Sequence, residues 1–496
     1  MMPESNHAIV IGAGFSGLAV AAMLAKDGWK VTVLEKNAQI GGAARVWKSK
    51  GFTFDMGPTW YLMPEVFDRY FSLLGQKRED YYDIKQLNPS YRVFFEDDER
   101  VDIQPDIEET KAVFEDFEPG GAKKLTKFLD HAAYRYDIAI KEFLYREYQS
   151  IFDFFNRRLV LQGSRLKLFR TLDKEVSSYF SDHRAKKILE YAVVFLGNSP
   201  YNARAIYSIM AHIDLNLGVW APRGGMGSVV EGISKLGKDN GVIIQTGEQV
   251  RKIKGEKGNV THVVTDMTDY PADMVLSGAD YNHVETELLA PSHQSYPQNY
   301  WQKKVIAPSM FLIYLGLNRR IDALLHHNFY FAHKWDKHFD SIFKSPRWPE
   351  NPSYYIYCPS KTDDTLAPDG NETVMLLVPV APGLDDNDEQ RQRFAEQIID
   401  HFEKLIGARI SDSIVVQRIF SHQDFKSNYN SYMGTALGLS HTLRQTAVFR
   451  PSHRSRKLKN LFFTGQYTHP GIGVPMAFIA SEIVAGEIRR CFDVGR

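Results

Sequence analysis

Cysteine is nearly missing: Cys358 and Cys491 are the only two in 496 residues. Two thiols so far apart support neither a disulfide framework nor a zinc cluster, and they suit a reducing compartment. Net charge is missing as well, with 60 Lys+Arg against 60 Asp+Glu, which removes any general electrostatic affinity for nucleic acid. No run of about 18 consecutive apolar residues occurs, so no transmembrane helix is expected. Met1 to Asn6 lack the charged and apolar regions of a signal peptide. The histidines His326, His327, His333, His338, His422, His441, His453 and His469 are scattered, with no HExxH or comparable spacing. They are expected to be structural, and no metal is expected. With 44% apolar and 24% charged residues the chain reads as globular. Its length exceeds one ordinary core, so two or three domains are expected. Aromatic residues make up 13%. They either line an apolar cavity or fill a large core, and composition does not choose between these.

What is present concentrates in the first sixty residues. Ala8-Ile9-Val10-Ile11 reads as a buried strand, and Gly12-Ala13-Gly14-Phe15-Ser16-Gly17 follows directly. Leu18 to Lys26 reads as a helix with Leu18, Ala21, Ala22 and Ala25 on one stripe. A second strand, Lys30 to Leu34, ends at Glu35 and is followed by Lys36. Strand, glycine turn, helix, strand and acid form the dinucleotide-binding fingerprint in its required context. Gly12 permits the tight turn, Gly14 the approach of a pyrophosphate, and Gly17 close helix–strand packing. The helix N-terminus offers unpaired N–H groups and partial positive charge to phosphate. Glu35 can accept hydrogen bonds from a ribose, and it disfavours a 2′-phosphate. A nicotinamide domain would continue with another helix and parallel strand. Here Gly41-Gly42-Ala43-Ala44-Arg45 supplies paired glycines and an arginine, and Gly51 to Thr59 runs into the turn Gly57-Pro58-Thr59.

Further along, Pro64 to Leu74 reads as an amphipathic helix, and Ser90 to Phe95 with Val101 to Ile103 as a hairpin turning at Asp97-Asp98-Glu99, opening a second sheet. Ile107 to Tyr191 is helical in pattern. Within it Lys141 to Lys174 carries eight Lys/Arg against four Asp/Glu, interleaved with aromatic and aliphatic residues. That suits a membrane-surface element or an ordinary solvated helix. Strands are expected at Gly241–Thr246, Gln249–Ile253, Asn259–Thr265, Met274–Ser277, Met310–Leu317, Tyr354–Tyr357 and Val374–Val378, with a helix over Arg391–Leu405. No second GxGxxG occurs, so no separate nicotinamide domain is encoded. Asn460 to Gly465 reads as a closing strand. Gln466-Tyr467-Thr468-His469-Pro470-Gly471-Ile472-Gly473-Val474-Pro475 follows, and then a helix over Met476–Cys491.

The stretches Gly51–Thr59 and Thr468–Pro475 resemble the flavin amine-oxidase superfamily and, more narrowly, bacterial carotenoid desaturases of the phytoene-desaturase type. Ala221 to Gly227 resembles that family's PxGGxG-type turn back into the flavin domain. Ala43 stands where many relatives carry arginine directly after the glycine pair, and the phosphate role passes to Arg45.

The resemblance implies an α/β protein with an α+β substrate part. A Rossmann-like FAD domain is built from segments 1–85, 220–290 and 451–496, and a mixed or antiparallel-sheet substrate domain from 86–106 and 291–450. Residues 107–219 form a helical, membrane-facing lid. Asp424-Phe425 and Tyr429–Gly438 are expected to form a long substrate-side loop. The implied FAD contacts are Gly12, Ala13, Gly14, Phe15, Ser16, Gly17, Glu35, Lys36, Gly42, Ala43, Arg45, Gly57, Pro58, Thr59, Val250 (by backbone, at the adenine), Gly465, Gln466, Gly473, Val474, Pro475 and Met476. Gly471 and Gly473 would leave room for a polyene. The implied activity is desaturation of a carotenoid (phytoene, zeta-carotene or a related carotene). Hydride passes to flavin N5 and a proton leaves the neighbouring carbon, with no catalytic residue identified. Oxygen or a quinone is the implied acceptor, and the location is cytoplasmic at the membrane surface. A redox-neutral carotenoid isomerase and a flavin-stabilised lipid-binding protein are the alternatives. If Glu35 holds the ribose, Glu35→Ala weakens FAD binding by about 1.5–3 kcal/mol, the worth of hydrogen bonds to a charged acceptor. A flavin titration of parent and variant measures the loss, and equal affinity removes the ribose assignment.

Overall fold

His7–Ile11 (β1) carries apolar residues on both faces, the pattern of a strand buried in a parallel sheet between two layers. The computed structural model describes residues 6–96, 99–147, 167 and 169–492. It places β1 at the centre of five parallel strands. Lys30–Glu35 (β2) and Ile243–Thr246 (β3) lie to one side, Met274–Ser277 (β4) and Leu461–Phe463 (β5) to the other. The strands come from three distant stretches of chain, so both ends of the sequence close one sheet, as expected. Phe15–Lys26 (α1) is buried from Phe15 to Leu24. It lies between Met226–Asp239 (α2) and Val474–Phe492 (α3), so no face of it needs to be polar.

The second sheet has seven strands in the order 414–420, 309–317, 372–380, 354–357, 327–331, 91–95, 100–103. All neighbours are antiparallel except His327–Phe331 beside Tyr91–Phe95. One face buries an aliphatic core under the helix Asp388–Ile406, and the other buries an aromatic-rich cluster.

One reading changes, and several elements are added. Asp424-Phe425 belongs to a helix, His422–Tyr429, because Ser421 and Asp424 form a reciprocal capping box that closes its first turn. Strands 250–256, 259–265 and 269–271 form a small antiparallel sheet of their own. Strands 327–331 and 414–420 and the helix Trp335–Phe343 are additional. The Asp97-Asp98 turn and most of Lys141–Lys174, including Arg157, Arg158 and Arg165, lie outside the described residues. No helix among the described residues is long and apolar enough to cross a membrane.

The α1–β1 contact gives a clean test. A Cβ on Gly17 would overlap the Gly12 carbonyl oxygen, whereas one on Gly14 would meet nothing nearer than Gly42 Cα at 3.9 Å. Gly17→Ala is therefore expected to cost about 1–3 kcal/mol of stability by overpacking, and Gly14→Ala to unfold at the parent's denaturant midpoint.

Candidate functional site

The parallel strands all end at one edge, and the turns beyond them are stitched together there. Gly12 N–H donates to Leu34 O (2.8 Å), Gly278 N–H to Ile11 O (2.9 Å), and Thr464 N–H to Ser277 O (2.9 Å). Such an edge, at the point where strand order reverses, is where open α/β sheets bind ligands. Gly41 N–H donates to Ala13 O (2.8 Å), which lays the paired glycines against the first glycine turn. Gly42, at φ 57°, would bring a Cβ to 3.1 Å from Gly14 Cα. Only glycine keeps that approach open.

Glu35 is buried and its carboxylate already serves the loop. Oε2 accepts from Ala13 N–H (2.9 Å), and Oε1 accepts from Asn37 N–H (2.9 Å) and Nδ2 (2.8 Å). Glu248 N–H donates to Glu35 O (2.9 Å), and Val250, two residues on, packs in one cluster with Ile11 and Leu34. Gly57 sits against the Ala43 carbonyl, where a Cβ would overlap it, and Pro58 and Thr59 follow directly. Gly465 lies beside Ser16, with Gln466 next in the chain. Ser481 Oγ reaches Ser16 O (3.4 Å), which packs the first turns of α3 on α1. The sequence-derived residues Gly12–Gly17, Glu35, Gly42–Arg45, Gly57–Thr59, Val250 and Gly465–Gln466 thus converge on one edge, and Gly473–Met476 open α3 beside it.

Two residues have other partners. Lys36 Nζ donates to Ser427 O (2.7 Å) and Asn430 Oδ1 (2.9 Å), so it ties down the C-terminal end of helix 422–429. Gly471 gives its missing side chain to His441, whose Nε2 occupies the place of a Cβ. Gly473 is exposed at φ 127°, so any side chain there strains the backbone as well as filling space.

Sequence reading missed the groups that lock this arrangement. Asp55 accepts from Met226 N–H (3.0 Å), Gly227 N–H (3.2 Å) and Tyr357 OH (3.0 Å), closing the N-terminus of α2 from across the chain. Burial pushes its carboxyl up to about 6. Asp280 joins Tyr467 OH (2.6 Å), Tyr432 N–H (3.3 Å) and His283 N–H (3.1 Å), and is likewise raised to about 6 by burial. Arg450 is buried. Its guanidinium donates to the carbonyls of Tyr467 (3.2 Å), Thr468 (3.0 Å), Gln445 (3.0 Å), Leu439 (3.3 Å) and Gln466. Arg45 Nη2 donates to Asn428 Oδ1 (2.7 Å). The Ser421–Asp424 spacing was the one sequence signal for the helix carrying Asn428.

Among the described residues, the buried polar atoms at this edge without a hydrogen-bond partner include Arg45 Nε, Glu248 Oε2 and Thr464 Oγ1, with Tyr429 OH also unpartnered and its ring against Arg45. Each such group costs about 1–3 kcal/mol. A donor beside the glycine turns and acceptors beyond β3 and β5 fit a ligand with phosphates at one end and polar ring edges elsewhere.

Next to Thr59 begins an aromatic wall. Trp60 stacks on His327 at 4.2 Å between ring centres, and Phe195, Phe329, Tyr191 and Tyr355 surround them. Thr59 Oγ1, Tyr355 OH and His327 Nδ1 form a chain at 3.0 and 2.6 Å. Burial, with His326 adjacent, holds His327 neutral by lowering its pKa well below the usual value. Behind the wall Asp214 accepts from Tyr91 OH (2.8 Å) and Tyr191 OH (2.9 Å), and burial raises it to about 7. A carboxyl raised in the folded state favours folding below its unfolded pKa near 3.8, and that contribution is lost as pH rises through about 7. Relative to the parent, Asp214→Asn should therefore gain stability between pH 5 and 7, by up to about 1.4 kcal/mol per pH unit. Urea titrations at the two pH values test this, and a pH-independent difference would mean that the carboxylate is not desolvated.

Comparison with known proteins agrees with this layout. Carotenoid 3,4-desaturase of Haloarcula japonica is 42% identical over 478 residues, covering 96% of both chains. A 4,4'-diapophytoene desaturase (4,4'-diaponeurosporene-forming) of Staphylococcus haemolyticus is 35% identical over 502 residues, covering 98% of this chain and 99% of its own. A crystal structure of an oxidoreductase from Methanosarcina mazei superposes with a TM-score of 0.65 over 97% of this chain and 100% of its own, at 15% identity, which speaks to the fold alone. Residues 15–489, from the first glycine turn into α3, match the flavin containing amine oxidoreductases, and the chain belongs to that family.

Proposed function

We propose that this protein is an FAD-dependent carotenoid desaturase of carotenoid biosynthesis, working at the cytoplasmic membrane surface with oxygen or a quinone as electron acceptor. The reading rests on the near-full-length similarity to Carotenoid 3,4-desaturase, and the unpartnered polar atoms at the sheet edge support the cofactor. When bound, FAD supplies a hydride acceptor at its N5, so that a hydride leaves one allylic carbon while the neighbouring carbon loses a proton.

The chain's own residues bind, orient and exclude water. Gly12 N–H and Ala13 N–H are taken by Leu34 O and Glu35 Oε2, so the N–H groups that open α1, from Phe15 to Gly17, would receive the pyrophosphate, and Arg45 Nε would add a charged donor there. Glu35 has lone pairs left for the ribose beyond the three hydrogen bonds it already accepts. The first turn of α3, Val474-Pro475-Met476, offers N–H groups and a positive dipole end that would stabilise negative charge on a bound flavin ring. Pro475 has no N–H, and in a helix's first turn this costs no hydrogen bond. The wall of Trp60, Tyr191, Phe195 and Phe329 suits an uncharged polyene by apolar contact. Residues 107–219 serve as the lid, and the domain boundaries are those drawn from the sequence. No side chain is assigned as the base.

Anaerobic incubation of the FAD-loaded protein with several carotenes in liposomes tests the reading. Flavin bleaching with a product two hydrogens lighter per step is expected. Unchanged mass with shifted double-bond geometry would make the protein an isomerase, and no conversion would leave it a lipid-binding protein.

A further inference from the structure

We infer that the surface formed by Lys303–Val305 and Leu443–Phe449 docks this protein on an anionic lipid bilayer. This rests on the proposed function only for the need to collect a lipid-borne substrate; the surface itself is argued from charge and exposure. Acids and bases balance over the whole chain, yet no Asp or Glu occurs from Leu288 to Ile321 or from Phe425 to Ser481. Lysines and arginines occur in both stretches, so positive charge is segregated there.

The fold brings the two stretches into one face. Val305 N–H donates to Gln445 Oε1 (2.8 Å), and Gln445 Nε2 donates back to Val305 O (2.9 Å). Ser440 N–H reaches the same carbonyl at 3.2 Å. Around this junction three apolar side chains stand in solvent: Val305 is 46% exposed, Leu443 44% and Phe449 45%. Lys303 and Arg444 are exposed beside them. The Lys304 ammonium lies 4.2 Å above the Tyr300 ring centre, its stem at the same edge. Apolar side chains set among cations, with no acid in either stretch, complement phosphate headgroups over acyl chains. A protein partner would have to supply both the apolar cover and an acidic rim.

The loop behind this face faces inward at both ends. His441 Nε2 accepts from Ile472 N–H at 3.2 Å, and Arg450 holds the carbonyls of residues 466–468. Those carbonyls belong to the turn that leads into α3. A molecule leaving the bilayer here is one loop's thickness from the edge where the cofactor contacts gather. The segment Lys141–Lys174 is the competing candidate.

The test uses the full-length, FAD-loaded protein and phosphatidylcholine vesicles with and without phosphatidylglycerol. Lys303→Gln with Arg444→Gln should lower partitioning onto the phosphatidylglycerol vesicles about 25-fold, at about fivefold per cation. The pair should leave partitioning onto phosphatidylcholine unchanged. Leu443→Ser with Phe449→Ser should lower partitioning onto both. Unaltered FAD content and melting temperature in each pair exclude misfolding. Parent-level partitioning in both pairs overturns the inference. So does loss of binding only on neutralising Arg157, Arg158 and Arg165, or tighter binding to duplex DNA than to vesicles. If the partitioning pattern holds while the parent fails to desaturate carotenes in detergent, the proposed function falls and the docking face stands.

Discussion

The rest of the site depends on the parallel pairing of β1 with β4, in the register Ala8 with Met274 through Ile11 with Ser277. That register, with Ile11 opposite Leu34 on the other side, sets the ends of three strands level. Gly12, Gly278 and Glu35 therefore emerge together. The side chains of a strand alternate faces, so a slip by one residue would turn every β1 side chain to the other face. It would also pull the glycine turn away from the acid. The apolar faces of β1 hold the register, and the carboxylate of Glu35 fixes the turn that follows.

Around this frame the protein uses buried polar groups as ties between distant stretches. Asp55 joins the second sheet to the start of α2 through Tyr357 and two backbone N–H groups. Asp280 joins the β4 turn to Tyr432 and Tyr467. Arg450 satisfies its guanidinium with five backbone carbonyls rather than a carboxylate. A buried group of this kind specifies one arrangement because any other leaves it unpaired. Lys36, Asn37 and Arg45 do the same on the far side, where all three reach helix 422–429 or the residue that ends it.

Much of this was legible in the sequence, for identifiable reasons. The first strand, helix and second strand show because their apolar periodicity and their glycines are local signals. The closing strand and helix show through the same signals together with family resemblance. The long-range ties do not show. Nothing in the local pattern around Asp55 points to a helix that begins at Met226, and Arg450 reads as a surface residue until its five carbonyls are brought around it. Gly471 was legible as a small residue, but its reason, the ring of His441, lies thirty residues back in a loop. Helix 422–429 has a local signal in its Ser421–Asp424 capping spacing, which the reading of Asp424-Phe425 as a loop does not use.

The order of strands in the parallel sheet carries a further consequence, for how the protein is made. β1, β2 and α1 leave the ribosome first, but β1 has no partner on one side until β4 is synthesised, and β4 has none until β5 appears at Leu461–Phe463. At about 5–20 residues per second, roughly 20–90 s pass between the first strand and the last. During that interval the nascent chain presents an apolar, unpaired strand edge, the feature that invites association with other chains. It also presents a glycine turn whose opposite wall does not yet exist. Cofactor capture is in this sense a late event in synthesis, and the newborn protein depends on whatever shields that edge in the meantime.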